Sequence, residues 1–135
     1  MVKARSIELA TNWLNAGRHD LDWAKGSFDI QKFAGVCFLS QQIVEKSLKA
    51  FLYSKNEELR KIHDLDALLS LAIKHDKSFS KFKKVTATLS TYYLKTRYPD
   101  IGDISIFDKE DLAKEALNWA EEIFNFVKEK LNVKI

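Results

Sequence analysis

The stretch from Phe33 to Leu52, FAGVCFLSQQIVEKSLKAFL, constrains the fold more than any other part of the sequence. It contains no proline and one glycine near its start, so nothing interrupts a helix of about 30 Å. Its apolar residues recur at three- and four-residue steps and form a wide face: Phe33, Val36, Cys37, Val44, Leu48 and Phe51. A face this wide is typical of a central helix in a bundle rather than of a surface helix.

The polar residues of this helix fall on one narrow stripe. Gln42, Glu45 and Lys49 share the stripe, and Gln41 and Lys46 lie beside it. Such a stripe faces water, a partner or a small polar site. The simplest interpretation is a solvated strip, in which Glu45 and Lys49, four residues apart in the favourable order, add a few tenths of a kcal/mol to helix stability.

The remainder of the chain repeats the helical pattern. With only 4 glycines and 1 proline, it predicts an all-α, up-and-down bundle of about five helices in one domain spanning residues 1–135. The helices are predicted over 3–28 and 33–52, from Asp64 as an N-cap, from Ser78 to about Arg97, and from Asp108 as an N-cap to about Asn132. Gly26, Ser27 and Asp29 mark the first turn, and residues 101–107 form a connecting loop.

The first helix carries a second stripe beside its core face. Trp13 and Trp23 lie on this stripe, which indicates either a very broad core or a subunit contact. Asp20 lies between the two tryptophans, and a covered carboxylate needs a partner. We expect an ion pair with a lysine or arginine elsewhere in the bundle, or else a role at a ligand or catalytic site. Gly17, on the core face, would allow a neighbouring helix to approach closely.

Composition excludes several classes of function. The net charge of +3 is too small to indicate nucleic-acid binding by itself. The single cysteine, Cys37, is expected to be a buried apolar residue in a reducing compartment. No apolar run approaches 18 residues and the N-terminus has no signal-peptide pattern, so we expect a cytoplasmic protein without membrane attachment.

Known catalytic and cofactor motifs are also absent from the sequence. It contains no glycine-rich phosphate loop, nucleophile elbow, CxxC pair or HExxH. His19, His63 and His75 are each followed by aspartate, but no two of them share a helical turn. We therefore expect no metal site and no cofactor. Immediately before a cap, His63 is expected to pack or to form a hydrogen bond rather than to catalyse.

Three sequence strings together resemble the HEPN family. They are QQxxEKxxKA from Gln41, HDL from His63, and TRYPD from Thr96, and the resemblance extends over nearly the whole chain. HEPN proteins are small helical domains named for nucleotide binding and often encoded beside minimal nucleotidyltransferases. They also resemble the C-terminal helical domain of kanamycin nucleotidyltransferase.

The resemblance raises the question of ribonuclease activity. Many HEPN proteins look like metal-independent ribonucleases, in which an Arg is followed four to six residues later by a His at a dimer cleft. There the Arg stabilises phosphate charge and the His handles the 2′-hydroxyl proton. This chain lacks that spacing, because Arg60 precedes His63 by too few residues and Arg97 has no His after it. A rearranged pair, Arg97 with His63 across the fold, is the alternative.

The resemblance then implies a nucleotide- or partner-binding subunit of a HEPN/minimal nucleotidyltransferase system of toxin–antitoxin type, not catalytic alone. A phosphate-bearing ligand or the partner would contact Lys46, Lys49, Arg97 and Tyr98, with Asp20 and Glu45 beside them. We expect a homodimer, with a minimal nucleotidyltransferase as candidate partner and a nucleotide as candidate ligand. RNA is a substrate only under the ribonuclease alternative.

Overall fold

The computed structural model describes residues 4–59, 62–97 and 104–135, except for the side chains of 93–97 and 104–105. In these ranges all regular secondary structure is helical, and there is no strand. The α-helices are α1 (Ala4–Asp29), α2 (Phe33–Ser54), α3 (Leu65–His75), α4 (Lys83–Arg97) and α5 (Glu110–Leu131), and two 3-10 helices cover Lys77–Phe82 and Ile104–Phe107. The predicted all-α bundle of about five helices is confirmed.

Helix α2 is the centre of the bundle and contacts each of the other four α-helices. Fourteen of its 22 residues are buried, which accounts for the width of its apolar face. Gly17 of α1 lies where α1, α2 and α5 meet: a Cβ atom there would lie 3.7 Å from atoms of Lys46, Ser47 and Phe124. That is ordinary van der Waals distance, so the helices approach closely without requiring glycine.

Aromatic side chains fill the space between α2, the 3-10 helix Lys77–Phe82 and α5. The ring of Phe79 lies 4.4 Å from that of Phe51 and 5.0 Å from that of Phe126, measured between centroids. Phe82 lies 5.1 Å from Phe126 in the same way, and both Phe79 and Phe82 are buried. The 3-10 helix therefore contributes two of the largest side chains in the core.

Several predicted boundaries are corrected by the structure. The predicted fourth helix, from Ser78, begins one residue earlier as the 3-10 helix at Lys77, and Asp76 is its cap: the Asp76 carboxylate accepts the Ser78 N–H at 2.9 Å. Asp108 does not cap α5, because Lys109 occupies the N-cap position without a side-chain hydrogen bond. Asp64 does cap α3, accepting the Asp66 N–H at 3.0 Å.

The turn between α1 and α2 and the connection between α4 and α5 also differ from their predicted structure. Helix α1 continues through Gly26 to Asp29, and the turn follows at Gln31, whose φ of 64° reverses the chain. The segment expected to be an irregular loop contains the 3-10 helix Ile104–Phe107. None of the helices in the three described ranges is long and apolar enough to cross a membrane.

Cys37 of α2 is buried, as expected, and its thiol contacts the carbonyl oxygen of Phe107 at 3.8 Å. Burial, reinforced by the Asp108 carboxylate, raises the pKa of the thiol to about 12. We predict that a thiol reagent at pH 8 leaves Cys37 unmodified in the folded protein and modifies it once denaturant is added. Rapid labelling without denaturant would contradict the prediction.

The raised pKa of the Cys37 thiol also makes the free energy of unfolding depend on pH. The folded state keeps the Cys37 proton to higher pH than the unfolded state, in which the pKa of the thiol has its ordinary value of 9.0. The contribution to the free energy of unfolding is therefore complete below pH 9 and is lost as the pH rises towards 12. Urea denaturation followed by circular dichroism, carried out below pH 9 and again at higher pH, checks this direction.

Candidate functional site

A charged cluster lies where α2 meets the residue that precedes α3. The Oε2 atom of Glu45 accepts a hydrogen bond from Lys49 Nζ at 3.0 Å and lies 3.1 Å from Nδ1 of His63. Lys49 Nζ is 3.4 Å from the same Nδ1 atom. One carboxylate oxygen therefore holds both a lysine from its own helix and a histidine 18 residues further along the chain.

The three members of this cluster differ strongly in exposure. The side chains of Glu45 and Lys49 are 9% and 4% exposed, whereas that of His63 is 63% exposed. The position of His63 follows from the sequence, because Asp64 caps α3 and fixes the residue before it beside α2. A neutral His63 that donates its Nδ1–H to Glu45 keeps Nε2 as an acceptor on the solvent side.

The other oxygen of Glu45 is engaged from within α2. Gln42 Nε2 donates to Gln41 Oε1 at 2.5 Å, and Gln41 Nε2 donates to Glu45 Oε1 at 3.5 Å. A line of hydrogen bonds thus runs from half-buried Gln42 to exposed His63. The polar stripe predicted for α2 is covered at Gln41, Glu45 and Lys49, so the interpretation as a solvated strip is wrong for these residues.

An aromatic pair forms the wall behind the cluster. The ammonium of Lys49 lies 5.0 Å from the ring centroid of Trp13, and Trp13 stacks on Tyr53 at 5.9 Å. Tyr53 also lines a groove of about 380 Å³ together with Arg5 and Asn56. Trp13 and Tyr53 are not among the predicted site residues. The spacing does indicate Tyr53, since Tyr53 follows Lys49 by four residues and lies on the same stripe of α2.

A second ion pair lies further along the contact between α1 and α2. Lys46 Nζ donates to Asp20 Oδ2 at 2.5 Å, with the two side chains 25% and 13% exposed. Asp20 therefore has the internal lysine partner that a covered carboxylate requires. Both stripe lysines, Lys46 and Lys49, are thus paired with carboxylates inside the chain.

The remaining predicted site residues are not brought into this cluster by the described coordinates. Arg97 is the last residue of α4, but its side chain lies outside the described part of the structure, as does the whole of Tyr98. Within the described residues, no group of three or more His, Cys, Asp or Glu side chains is arranged to hold a metal ion. Among the described residues, the site therefore consists of the exposed His63 imidazole next to the buried Glu45–Lys49 ion pair.

Comparisons with known proteins agree on the fold. The chain is similar to the crystal structure of TT1696 from Thermus thermophilus, with 30% identity, a TM-score of 0.81, and coverage of 90% of this chain and 97% of that chain. It is also similar to ST0689, an archaeal HEPN homologue, with 27% identity, a TM-score of 0.74 and the same coverage. A search of curated proteins finds no match. The HEPN domain model matches residues 10–130, and the chain therefore belongs to the HEPN family.

Proposed function

We propose that this chain is the nucleotide- or partner-binding subunit of a HEPN/minimal nucleotidyltransferase system of toxin–antitoxin type and is not catalytic alone. The observation that carries the proposal is the buried Glu45–Lys49 pair with His63 exposed above it. Removing two charges from water costs several kcal/mol per ion, and apolar residues of similar size would serve stability at least as well. We infer that the pair exists to hold the imidazole for recognition.

The geometry of His63 suits a ligand that hydrogen bonds to the ring. Glu45 engages Nδ1, so Nε2 is the nitrogen that faces an incoming group. Nε2 of a neutral ring accepts a hydrogen bond from a ligand donor, and Nε2–H of a protonated ring donates a hydrogen bond to a phosphate or carboxylate oxygen. Lys46, one-quarter exposed on the same helix, is paired with Asp20 and would add positive charge only by exchanging that carboxylate for a ligand oxygen.

The groove beside Tyr53 supports a small ligand in particular. Its volume of about 380 Å³ lies within the range of small-molecule sites, and Tyr53 provides an aromatic wall. Arg5 lines the groove and supplies a cation, while the carboxylates of Glu57 and Glu58 line it as well. A nucleotide would place its base near Tyr53 and its phosphates towards Arg5, away from the two carboxylates.

The proposal is tested by calorimetric titration of the purified protein with nucleoside triphosphates and with a minimal nucleotidyltransferase encoded beside its gene. His63→Ala should weaken binding about 10- to 100-fold, because it removes a hydrogen bond to a charged group. The matched control is His75→Ala, which removes the other histidine–glutamate contact, with Glu57 at 3.5 Å, and should weaken binding far less than His63→Ala does. Glu57 lines the groove, but among the described residues no buried lysine is paired with it, and both members of the pair are about one-third exposed.

The titrations distinguish an error in the proposed function from an error in the assignment of the site to His63. If the unmodified protein binds neither nucleotide nor nucleotidyltransferase, the proposed function is wrong. If it binds either of them and His63→Ala weakens binding no more than His75→Ala does, the function stands and the assignment to His63 is wrong.

A ribonuclease is the second candidate, favoured by the contact between Glu45 and His63 Nδ1. A carboxylate on one nitrogen orients a histidine whose other nitrogen acts as a general base. In this scheme Arg97 stabilises the phosphate charge. The same variants then serve in an RNA-cleavage assay without added metal: cleavage that is lost in His63→Ala and in Arg97→Ala, but kept in His75→Ala, would favour the ribonuclease over the binding subunit.

A further inference from the structure

Lysines are concentrated where α3 ends and α4 begins. Residues 74–84 contain five lysines and one aspartate, although the net charge of the whole chain is only +3. All five residues are exposed, and together they form the lysine patch: Lys74, Lys77, Lys81, Lys83 and Lys84. This short segment therefore carries more positive charge than the chain as a whole, and the patch is a local source of positive potential.

The positive charge of the lysine patch is not neutralised within the described part of the chain. None of its five lysines forms an ion pair with a described carboxylate. The one acidic residue in the segment, Asp76, is already engaged: its carboxylate accepts the Ser78 N–H at 2.9 Å and pairs with Lys130 Nζ at 2.8 Å. The ammonium groups of the patch are thus left to solvent or to an anion from outside.

The position of these lysines is unfavourable for the stability of the fold. Lys83 and Lys84 lie in the first turn of α4, which contains no acidic residue. The N-terminal end of a helix carries partial positive charge and repels cations. Lys81 and Lys84 are three residues apart and also repel each other. A bound polyanion would relieve both repulsions, which nothing in the described part of the chain does.

Aromatic rings hold one member of the patch in place. The ammonium of Lys81 lies 4.4 Å from the ring centroid of Phe126 and 5.2 Å from that of Phe82. The ammonium of Lys130, from α5, lies 5.2 Å from the same Phe126 centroid, so a further cation adjoins the patch. Because Lys81 is already ordered by these contacts, it loses less conformational entropy when it binds an anion.

The side chains around the patch distinguish between classes of polyanion. The exposed large apolar residues of the described chain all lie outside residues 74–84: Ile7, Trp23, Ile30 and Ile106. The patch therefore has neither the apolar anchor of a membrane-surface site nor the aromatic platform on which single-stranded nucleic acids stack. Lysine is also depleted from protein–protein interfaces. Exposed ammonium groups without apolar neighbours instead suit the phosphates of a duplex, which point outwards along its backbone.

We propose that the lysine patch binds the phosphate backbone of double-stranded DNA without reading its sequence. Residues 74–84 contain no Arg, Asn or Gln, the residue types that most often form paired hydrogen bonds with base edges. Next to the patch, the hydroxyls of Thr88 and Thr91 donate to carbonyl oxygens of α4 at 2.9 and 2.8 Å, whereas duplex RNA is recognised partly through its 2′-hydroxyls. The inference does not depend on the proposed function, since His63 is not part of the patch.

Fluorescence anisotropy of a labelled DNA duplex of arbitrary sequence, titrated with the full chain at several salt concentrations, tests the proposal. We expect a dissociation constant of about 1–100 μM near physiological salt. The logarithm of the association constant should fall with the logarithm of the salt concentration with a slope of about −4, because each lysine on a phosphate contributes about 0.9. Lys83→Gln/Lys84→Gln should weaken binding about 10- to 100-fold and bring the slope to about −2.

A matched control variant separates the patch from net charge. Lys109→Gln/Lys114→Gln removes the same charge from exposed positions of α5, and Lys114 lies about 24 Å from Lys130 along that helix. It should leave the affinity and the slope nearly unchanged. Lys74→Gln/Lys77→Gln, which leaves α4 intact, should weaken binding as Lys83→Gln/Lys84→Gln does. Circular dichroism establishes that each variant is folded.

Other occupants of the patch are outcomes of the same experiment. Competition with unlabelled single-stranded DNA, duplex RNA, polyglutamate and anionic lipid vesicles should displace the labelled duplex less effectively than unlabelled duplex DNA does. Displacement by any of these competitors at least as effective as by duplex DNA would overturn the proposal. So would the absence of binding at about 50 mM salt, or equal losses from the patch variants and the α5 control.

Discussion

Glu45→Ala should lower the free energy of unfolding by about 3–5 kcal/mol. The substitution leaves the Lys49 ammonium, 4% exposed, without the carboxylate that compensates its charge. Removing one partner of a buried pair is costly because an uncompensated charge remains in a poorly hydrated site. It also frees His63 Nδ1, so binding at the candidate site should fall together with stability. Urea denaturation followed by circular dichroism, at one fixed protein concentration, measures the loss.

A matched control variant shows whether the loss of stability comes from the burial of the ion pair or would follow from breaking any ion pair. Glu121→Ala breaks the pair with Lys25, whose side chains are 37% and 49% exposed, and should cost less than about 1 kcal/mol. Comparable losses from Glu45→Ala and Glu121→Ala would show that the α2 pair is hydrated in solution. The double variant Glu45→Leu/Lys49→Met should recover most of the lost stability, because it replaces both charges by apolar groups. It should not recover ligand binding.

Phe79→Ala should lower the free energy of unfolding by about 3–5 kcal/mol. The Phe79 ring is fully buried and contacts Phe51, Phe82 and Phe126, which belong to three different helical segments. Its removal leaves a cavity that the surrounding rings cannot close, and it detaches the 3-10 helix from α2 and α5. The same urea titrations give the value.

The control for this variant is Ile106→Ala, at a side chain that is 46% exposed and outside the aromatic cluster. It should cost about 1 kcal/mol or less, because much of the side chain is already in contact with water. Losses of similar size at the two positions would mean that the aromatic cluster is not the principal anchor of the 3-10 helix.

Local signals in the sequence were sufficient for the framework of the fold. The apolar steps from Phe33 to Leu52 predict a central helix because burial on most sides leaves a wide apolar face, and the structure buries most of that stretch. Asp64 before Leu65 identifies the start of α3 because an N-cap needs only the next few residues. The burial of Cys37 followed from its place on the apolar face of α2.

Features that depend on distant residues could not be predicted in the same way. Glu45 and Lys49 have the spacing of an ordinary surface pair, and their burial depends on packing of α2 against other elements, with Trp13 of α1 in contact with Lys49 and His63 in contact with Glu45. Asp108 precedes two acidic residues and resembles a cap, yet the helix begins one residue later than a cap at Asp108 would place it. The polar residues of α2 share one stripe and can be recognised together, whereas Trp13 lies on the second stripe of α1, where the pattern indicates a broad core or a subunit contact.

Trp13 stacks on Tyr53 and lies 5.0 Å from the Lys49 ammonium, so its fluorescence reports on the charged cluster without an added label. Trp13 is half-buried against the charged cluster, Trp23 is open to solvent, and Trp119 is half-buried on α5. Indole emission responds to nearby charge and to water, so the three rings report on three different regions of one unlabelled chain. A soluble quencher such as iodide would reach Trp23 first, leaving the Trp13 signal to follow events at His63. Changes at the charged cluster would then be distinguishable from changes at the exposed surface of α1 in one unlabelled sample.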